Sequence, residues 1–441
     1  MPDHEDPGVA QLPSSRRVIT VYVTTTVIFT LAASVIWGVN TLFLMNSGGL
    51  DIFQVMLVNS AYTVGQLVFE VPTGVVADTI GRRASLMLAS FTLMIATLLY
   101  VASAQYEWGV WAFVGASILL GLGFTFQTGA ADAWLVDALD HTGYDHPKDR
   151  VFAWGGMSFG VAMVVGTLAG GFLGQVNLSI PYVVRAVLLG VCLIVTGVLV
   201  RDLGFQPREL KASSFGAETR KILHTGVQYG WRHPVVRPLM WVSFASGVFF
   251  LFGFYVWQRY ALDLLGKEYV WVIGVLTAAA SLAGVFGNSL VRRIMREGEM
   301  RRNPARVLAV SSALMTGLLV CIGLVGLVAP NPGLAPFAIA SLLWLGFNAI
   351  FGITTPVRQA YLNEQIPSAQ RATVLSLDAF FSDGGGAVGQ PSLGWLAKAA
   401  SIPIAWLVGS VFMGATVPLY ARAGAEERRL RARGNHGETT P

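Results

Sequence analysis

The chain has 441 residues and a formal net charge of +5, and 12% of its residues are charged while 54% are hydrophobic. Ordinary soluble domains carry roughly a quarter of charged residues, so this composition excludes a soluble globular protein. The excess of basic residues falls between long apolar blocks, which is typical of membrane-protein loops that face an anionic leaflet and indicates no nucleic-acid partner.

Most of the apolar blocks exceed the roughly 20 residues that a helix needs to cross the hydrocarbon core of a bilayer. We therefore predict an all-α membrane protein with twelve transmembrane helices in two six-helix halves. The predicted spans are 18–46, 52–77, 84–104, 108–138, 151–174, 179–200, 237–262, 270–291, 305–329, 334–357, 372–397 and 401–421.

The longest polar segment divides these spans six and six. The predicted organisation is an N-terminal tail at 1–17, a first six-helix bundle at 18–200, a central loop at 201–236, a second bundle at 237–421 and a C-terminal tail at 422–441.

The basic residues predict the orientation of the chain. In the twelve-span scheme, all but four of the 30 Lys and Arg residues lie on the side of the two termini. Arg259, Lys267 and Lys398 fall on the other side, and Arg185 falls within a span. By the positive-inside rule we expect both tails and the central loop to be cytoplasmic, in the cell (inner) membrane.

A charged motif joins the second span to the third. Residues 74–83 read GVVADTIGRR, and residues 284–293 read GVFGNSLVRR at the corresponding place in the second half. Such an echo indicates repeated halves, a recurring architecture of secondary transporters. In the second copy Asn288 replaces the carboxylate and Val291 replaces the second glycine, so we expect the second copy to act more weakly.

Twelve spans, a central loop and this motif resemble the major facilitator superfamily, from about residue 18 to residue 422. The segments 69–78 (FEVPTGVVAD), 129–139 (GAADAWLVDAL) and 371–377 (RATVLSL) resemble bacterial multidrug or small-molecule exporters. The resemblance implies a monomeric, proton-coupled antiporter that exports small amphipathic, drug-like compounds by alternating access. Its implied partners are a small-molecule substrate, protons and the lipid bilayer.

The glycine-rich fifth span also resembles such exporters. They often carry G-P-x-x-G-G, and residues 166–171 read GTLAGG, with Thr167 in place of proline. We expect the close helix packing to be kept and the proline bend to be absent.

In that superfamily the Asp and first Arg of the motif belong to a latch that closes the inner side of the transporter. The resemblance implies that Asp78 and Arg82 form the latch here, with Asp137 as a partner of the arginine and Arg83 as an anchor to lipid phosphates. Gly74 and Gly81 are expected to let helix ends approach, and Asp78 to accept hydrogen bonds from a helix N-terminus. The alternative is that these basic residues only hold the end of the span on the cytoplasmic side and have no gating role.

Carboxylates inside spans are costly and usually face a cavity or a partner. Glu70 lies roughly 18 Å along a helix from Arg82, beside an expected bend at Pro72. Asp383 lies near the middle of span eleven, before three glycines that we expect to loosen the helix. The predicted proton-coupling residues are Glu70, Asp383 and Asp132. The alternative for Glu70 is a structural hydrogen bond to Gln66 or to a neighbouring span, and the alternative for Asp383 is similar. For Asp132 the alternative is capping or snorkelling near the interface.

Polar and aromatic side chains on the helices that line the superfamily's central cavity predict the substrate site, with an interfacial aromatic belt as the alternative for the aromatic ones. These residues are Trp37, Asn40, Gln127, Trp154, Tyr255, Gln258 and Asn348.

The sequence offers no pattern for catalysis. The six histidines fall in tails or loops, and the chain carries no P-loop, metalloprotease helix or serine-histidine constellation. Cys192 and Cys321 are single residues within apolar runs and suggest neither a disulfide nor a metal site. We therefore expect no enzyme, cofactor or metal. The alternatives to an exporter are an importer or facilitator of the same fold, a transport-inactive receptor and a membrane enzyme.

Overall fold

The computed structural model describes residues 14–207, 230–295, 303–329 and 331–437, and their regular secondary structure is helical. Most of the predicted N-terminal tail and central loop lies outside these residues. The first half comprises α1 (Ser15–Ser34), α2 (Asn40–Asn46), α3 (Ile52–Thr79), α4 (Arg82–Gln105), α5 (Val110–Thr128), α6 (Ala131–His141), α7 (Asp149–Val176) and α8 (Ile180–Leu199). The second half comprises α9 (Val236–Leu265), α10 (Val270–Ile294), α11 (Pro304–Val328), α12 (Leu334–Glu364), a 3₁₀ turn (Ser368–Gln370), α13 (Arg371–Ala399) and α14 (Ile402–Gly437).

These fourteen α-helices form twelve spans, because the first and fourth spans are each broken into two helices (α1 with α2, α5 with α6). Eleven helices of the described chain are long and apolar enough to cross a membrane. The remaining long helix, α13, packs against α9 and α3. The predicted all-α fold of twelve transmembrane helices in two six-helix halves is confirmed. Helix α14 continues past residue 421, where the sequence predicted a tail.

The two halves meet along two helix pairs, α3 with α13 and α7 with α10. In the second pair a Cβ added to Gly171 would lie 2.7 Å from the Cα of Gly274. Side chains at either position would force the helices apart, so this contact between the halves depends on small residues.

The contacts between the halves lie toward the side opposite the termini. There, Lys398 Nζ lies 2.7 Å from the Asp51 carboxylate, and Gln175 donates to the carbonyl of Glu268 at 2.8 Å. Burial alone would raise the pKa of Asp51, but hydrogen bonds from Lys398 and from the Gln54 N–H outweigh it and hold that pKa below its ordinary value. The opposite side is therefore closed.

The helix of the first span is interrupted at residues 35–39, and a side chain of the second half bonds to the backbone groups on either side of the interruption. Gln258 of α9 is 2% exposed; its Oε1 accepts from the Thr41 N–H at 2.9 Å, and its Nε2 donates to the Trp37 carbonyl at 2.7 Å. An unsatisfied backbone group in a membrane interior costs several kcal/mol, so this one amide stabilises both ends of the break.

We expect Gln258→Leu to lower the thermal stability of the purified protein, because it leaves a buried N–H and a buried C=O unpaired at about 1–3 kcal/mol each. Thermal unfolding followed by tryptophan fluorescence measures the loss. Asn348→Leu is the matched control, because Asn348 donates only to the Trp344 carbonyl one turn back in its own helix. Equal losses in the two variants would contradict the assigned role of Gln258.

Candidate functional site

A central cavity of about 470 Å³ lies between the halves and is lined by residues of both. It sits beneath the closed opposite side, beside the break in the first span. Of the seven predicted substrate-site residues, five line it: Trp37, Asn40, Tyr255, Gln258 and Asn348. Gln127 and Trp154 lie outside that lining, and the Trp154 ring packs under the Arg150 guanidinium at 5.2 Å.

Aromatic rings form much of the wall that the second half contributes. Trp257 stacks on Trp344 with 5.0 Å between ring centroids, and Phe250 stacks on Phe351 at 4.6 Å. Stacked rings present a rigid apolar surface with few conformations to lose, which suits the apolar body of an organic ligand.

The first half contributes a cation to the same cavity. Arg185 of α8 is 6% exposed, and its Nε donates to Thr97 Oγ1 at 3.1 Å. Its Nη1 donates to the carbonyls of Ala32 and Ala33 at 3.4 Å each, and no ion pair with a described carboxylate accompanies these bonds. The sequence assigned no role to Arg185, although a basic residue inside a span was itself a signal.

The structure brings Glu70 and Asp383 together. Glu70 of α3 is exposed and lies within electrostatic range of Asp383 of α13, across the boundary between the halves. In the described chain neither carboxyl group makes a hydrogen bond or ion pair, which is unlike the bond to Gln66 considered for Glu70. We call these two residues the carboxyl pair. Among the described residues, no group of three or more His, Cys, Asp and Glu could hold a metal ion.

One member of the carboxyl pair, Asp383, lies near the central cavity, on the side of the termini. Asp383 lines a second cavity of about 630 Å³, which shares Phe250, Leu251 and Phe351 with the central one. Both cavities therefore meet at the same three side chains.

The helices around the carboxyl pair are continuous. Helix α3 continues through Pro72, and α13 is unbroken at its three glycines. A Cβ at Gly385 would lie 2.1 Å from the Phe244 carbonyl oxygen, and one at Gly389 equally close to that of Val248. Gly385 and Gly389 therefore let α13 pack closely on α9.

Asp132 is separate from the carboxyl pair. It lies in the first turn of α6, and its Oδ1 accepts a hydrogen bond from the Tyr22 hydroxyl at 3.1 Å. A carboxylate in the first turn of a helix is favourable for the helix dipole, as in the capping alternative.

The motif at residues 74–83 forms an ion-pair network within the first half. Arg82 Nη1 lies 2.6 Å from Asp78 Oδ1, and Arg82 Nε lies 3.6 Å from Asp137 Oδ2. The Arg82 guanidinium also lies over the Phe205 ring at 5.8 Å. We call Asp78, Arg82 and Asp137 the latch network.

The glycines and Arg83 take other partners than expected. Gly81 has φ +127°, and a Cβ there would lie 2.5 Å from Asp202 Oδ2, so a side chain would be both strained and blocked. Asp202 Oδ1 accepts from the Arg83 N–H at 2.8 Å, which is the helix N-terminus role expected of Asp78. Arg83 donates to the Gly197 carbonyl. Nothing lies within 4 Å of a Cβ built on Gly74, although a Cβ built on Gly129 would lie 3.8 Å from the Gly74 Cα.

Comparison with known proteins agrees with this architecture. The family model described as Major Facilitator Superfamily matches residues 22–390. The chain is 24% identical over 370 residues to the tetracycline resistance protein, class B, of Escherichia coli, covering 82% of this chain and 83% of that protein. It is 22% identical over 391 residues to an uncharacterised MFS-type transporter, YxaM, of Bacillus subtilis (strain 168), covering 84% of this chain and 87% of that protein.

Solved structures show the same fold. The nucleoside transporter NupG superposes with a TM-score of 0.72 at 12% identity, covering 93% of this chain and 98% of that one. A D-xylose-proton symporter superposes with a TM-score of 0.65 at 15% identity, covering 92% and 99%. With its twelve spans, its two halves around a shared cavity and a family match over most of its length, the chain belongs to the major facilitator superfamily of transporters.

Proposed function

We propose that this protein is a proton-coupled exporter of small amphipathic compounds that works as a monomer by alternating access. The observation that supports it most is the carboxyl pair, in which one acidic group from each half lies close to the other and Asp383 lines a cavity that adjoins the central one. The similarity to tetracycline resistance proteins, which are members of the same superfamily, supports export.

The carboxyl pair can couple proton binding to the movement of the halves for an electrostatic reason. Two ionised carboxylates in a region of low dielectric repel each other, so drawing the halves together here favours the uptake of a proton by the pair. Opening this side hydrates Glu70, as in the state described, and favours release of the proton. Asp132, hydrogen-bonded within the first half, lacks that dependence on the distance between the halves.

The sidedness of the proposal follows from the basic residues. With both termini cytoplasmic, in the inner membrane, the latch network and the carboxyl pair face the cytoplasm. The closed opposite side then faces outward, and the state described is inward-open. A substrate would enter the central cavity from the cytoplasm.

We expect Glu70→Gln to bind substrate nearly as the wild type does, to lose the pH dependence of binding and to stop uphill transport, because the amide imitates the protonated acid. Asp383→Asn is the parallel variant for the other member of the pair. The measurement is substrate-induced proton movement in proteoliposomes, screened with a panel of dyes and antibiotics.

Asp132→Asn is the matched control for this experiment, since it removes a carboxylate outside the pair, and it should keep proton-driven transport. If Glu70→Gln still accumulates substrate under a proton gradient, Glu70 is structural, and loss in Asp383→Asn alone assigns the proton to Asp383. Accumulation in the direction of the proton flow would identify an importer in place of an exporter.

We propose in addition that the latch network stabilises the closed state of the cytoplasmic side, with Gly74 and Gly81 shaping the turn and Arg83 fixing it to α8. The network lies in one half in the state described, so its partner in the other half is met only when that side closes. In this proposal Arg82 meets the other half in the state in which the cytoplasmic side is closed.

We expect Asp78→Asn to shift the population toward the inward-open state and to slow transport without preventing folding. The pair is partly exposed, so about 1 kcal/mol, roughly a fivefold change in population, is the upper bound. Distances between spin labels on the two halves measure the shift. Asp140→Asn breaks the neighbouring pair with Lys148 (2.6 Å) and serves as the control. An unchanged distance distribution together with unchanged transport would reject the latch.

A further inference from the structure

Arg185 lies at the closed end of the central cavity, where the described chain provides no negative charge for it. A second, partly buried arginine has a carboxylate partner: Arg358, near the end of α12 on the side of the termini, donates from Nη1 to Asp378 Oδ2 at 2.9 Å and also contacts Ser243. A buried charge without a partner of opposite sign is costly. Arg185 is 6% exposed, and its partners are a hydroxyl and two carbonyls.

The groups around Arg185 are neutral. Tyrosines from four helices lie within electrostatic range of the guanidinium: Tyr62, Tyr100, Tyr182 and Tyr255. Their phenol groups offer dipoles and aromatic faces but no charge. The counter-charge of Arg185 has to come from outside this cluster, and the cavity beside it is the space in which a ligand could supply it.

A second observation points the same way. Asn59 Nδ2 and Trp257 Nε1 are buried donors without a hydrogen-bond partner, and both residues line the cavity that Arg185 lines. Asn40 lines it too; its amide nitrogen donates to the Tyr182 hydroxyl at 3.1 Å, while its oxygen has no partner. Buried polar atoms are rarely left unpaired in native structures. Two unpaired donors and one cation together favour an acceptor that carries a negative charge.

A carboxylate fits this set of groups. It has two oxygens and about four acceptor positions, so it can meet the planar guanidinium and still accept from a neighbouring amide. The stacked rings of Trp257 and Trp344 line the same cavity, but they belong to the second half, whereas Arg185 belongs to the first. A ligand with an apolar body and one carboxylate would contact the stacked rings with its body and Arg185 with its carboxylate.

We propose that Arg185 binds the carboxylate of an amphipathic organic anion, and that such anions are the substrate class of the central cavity. The proposal rests on the proposed function in taking this cavity as the transport site. Within the broader class of amphipathic compounds, it favours carboxylates over neutral and cationic analogues. Arg185 and Asn59 are then specificity-determining residues that touch the substrate.

The test compares three probes that share one apolar body: 1-pyrenebutyrate, 1-pyrenebutanol and 1-pyrenebutylamine. Their binding to the wild-type full chain in nanodiscs is followed at neutral pH by quenching of tryptophan fluorescence, with empty nanodiscs as the baseline. We expect the carboxylate to bind at least about tenfold more tightly than the alcohol, since hydrogen bonds to charged groups contribute about 1.5–3 kcal/mol. Equal binding of the alcohol, or tighter binding of the amine, would overturn the proposal.

Two variants test whether the preference for the carboxylate comes from Arg185 and Asn59. Arg185→Lys keeps the charge but loses the planar fork, so the carboxylate should bind several-fold more weakly while the alcohol is unaffected. Asn59→Leu removes a donor that bonds to nothing in the described chain, so it tests the site without breaking a contact of the fold. It should weaken carboxylate binding several-fold and leave alcohol binding unchanged. A carboxylate preference that survives intact in both variants would place the anion site elsewhere.

This equilibrium measurement uses no proton gradient, so it is independent of coupling and of direction. A carboxylate preference that depends on Arg185 supports the inference even where Glu70→Gln proves that the carboxyl pair is structural. Proton-driven export of neutral or cationic probes without any carboxylate preference would leave the proposed function standing and reject the inference.

Discussion

The structure depends on the rule that backbone polar groups within a bilayer must find partners inside the protein. The first span departs from helical geometry at residues 35–39, and its free backbone groups are met by Gln258 of the other half. Thr41 Oγ1 adds a bond to the Tyr255 carbonyl at 2.7 Å. The irregular segment is therefore stable only while the halves are in contact. One side-chain amide thus links closure of the opposite side to the shape of the cavity beside it.

Charged side chains within the membrane also need partners, and whether they have one distinguishes the structural charged groups from the functional ones. Arg358 with Asp378, and Tyr22 with Asp132, are compensated within one half, where they hold helices together. The carboxyl pair and Arg185 lack such compensation; Arg185 lines the central cavity between the halves, and Asp383 lines the cavity that adjoins it. An uncompensated charge is costly to keep inside a membrane unless it faces water or a ligand. Position relative to the cavity, rather than depth alone, distinguishes the two groups.

The sequence predicted the spans, the two halves and the place of the repeated motif, because length and hydropathy carry that information. It could not predict the break at residues 35–39, where apolar residues without proline continue the pattern of the span. Nor could it pair Glu70 with Asp383, because their proximity depends on how α3 and α13 are rotated against each other. Nor could it show why glycine stands at position 81, because the Asp202 carboxylate that a side chain there would meet lies in a distant segment.

The two halves contribute different kinds of groups to the cavity, so the binding of one ligand depends on the position of both halves. The cation and the unpaired Asn59 amide belong to the first half, and the stacked rings of Trp257 and Trp344 belong to the second. A ligand that needs both surfaces binds tightly only when the halves hold a particular relative position. It can shift the equilibrium between states by no more than its difference in affinity for them. A divided site supplies that difference, because moving the halves apart on either side separates the charge partner from the apolar wall.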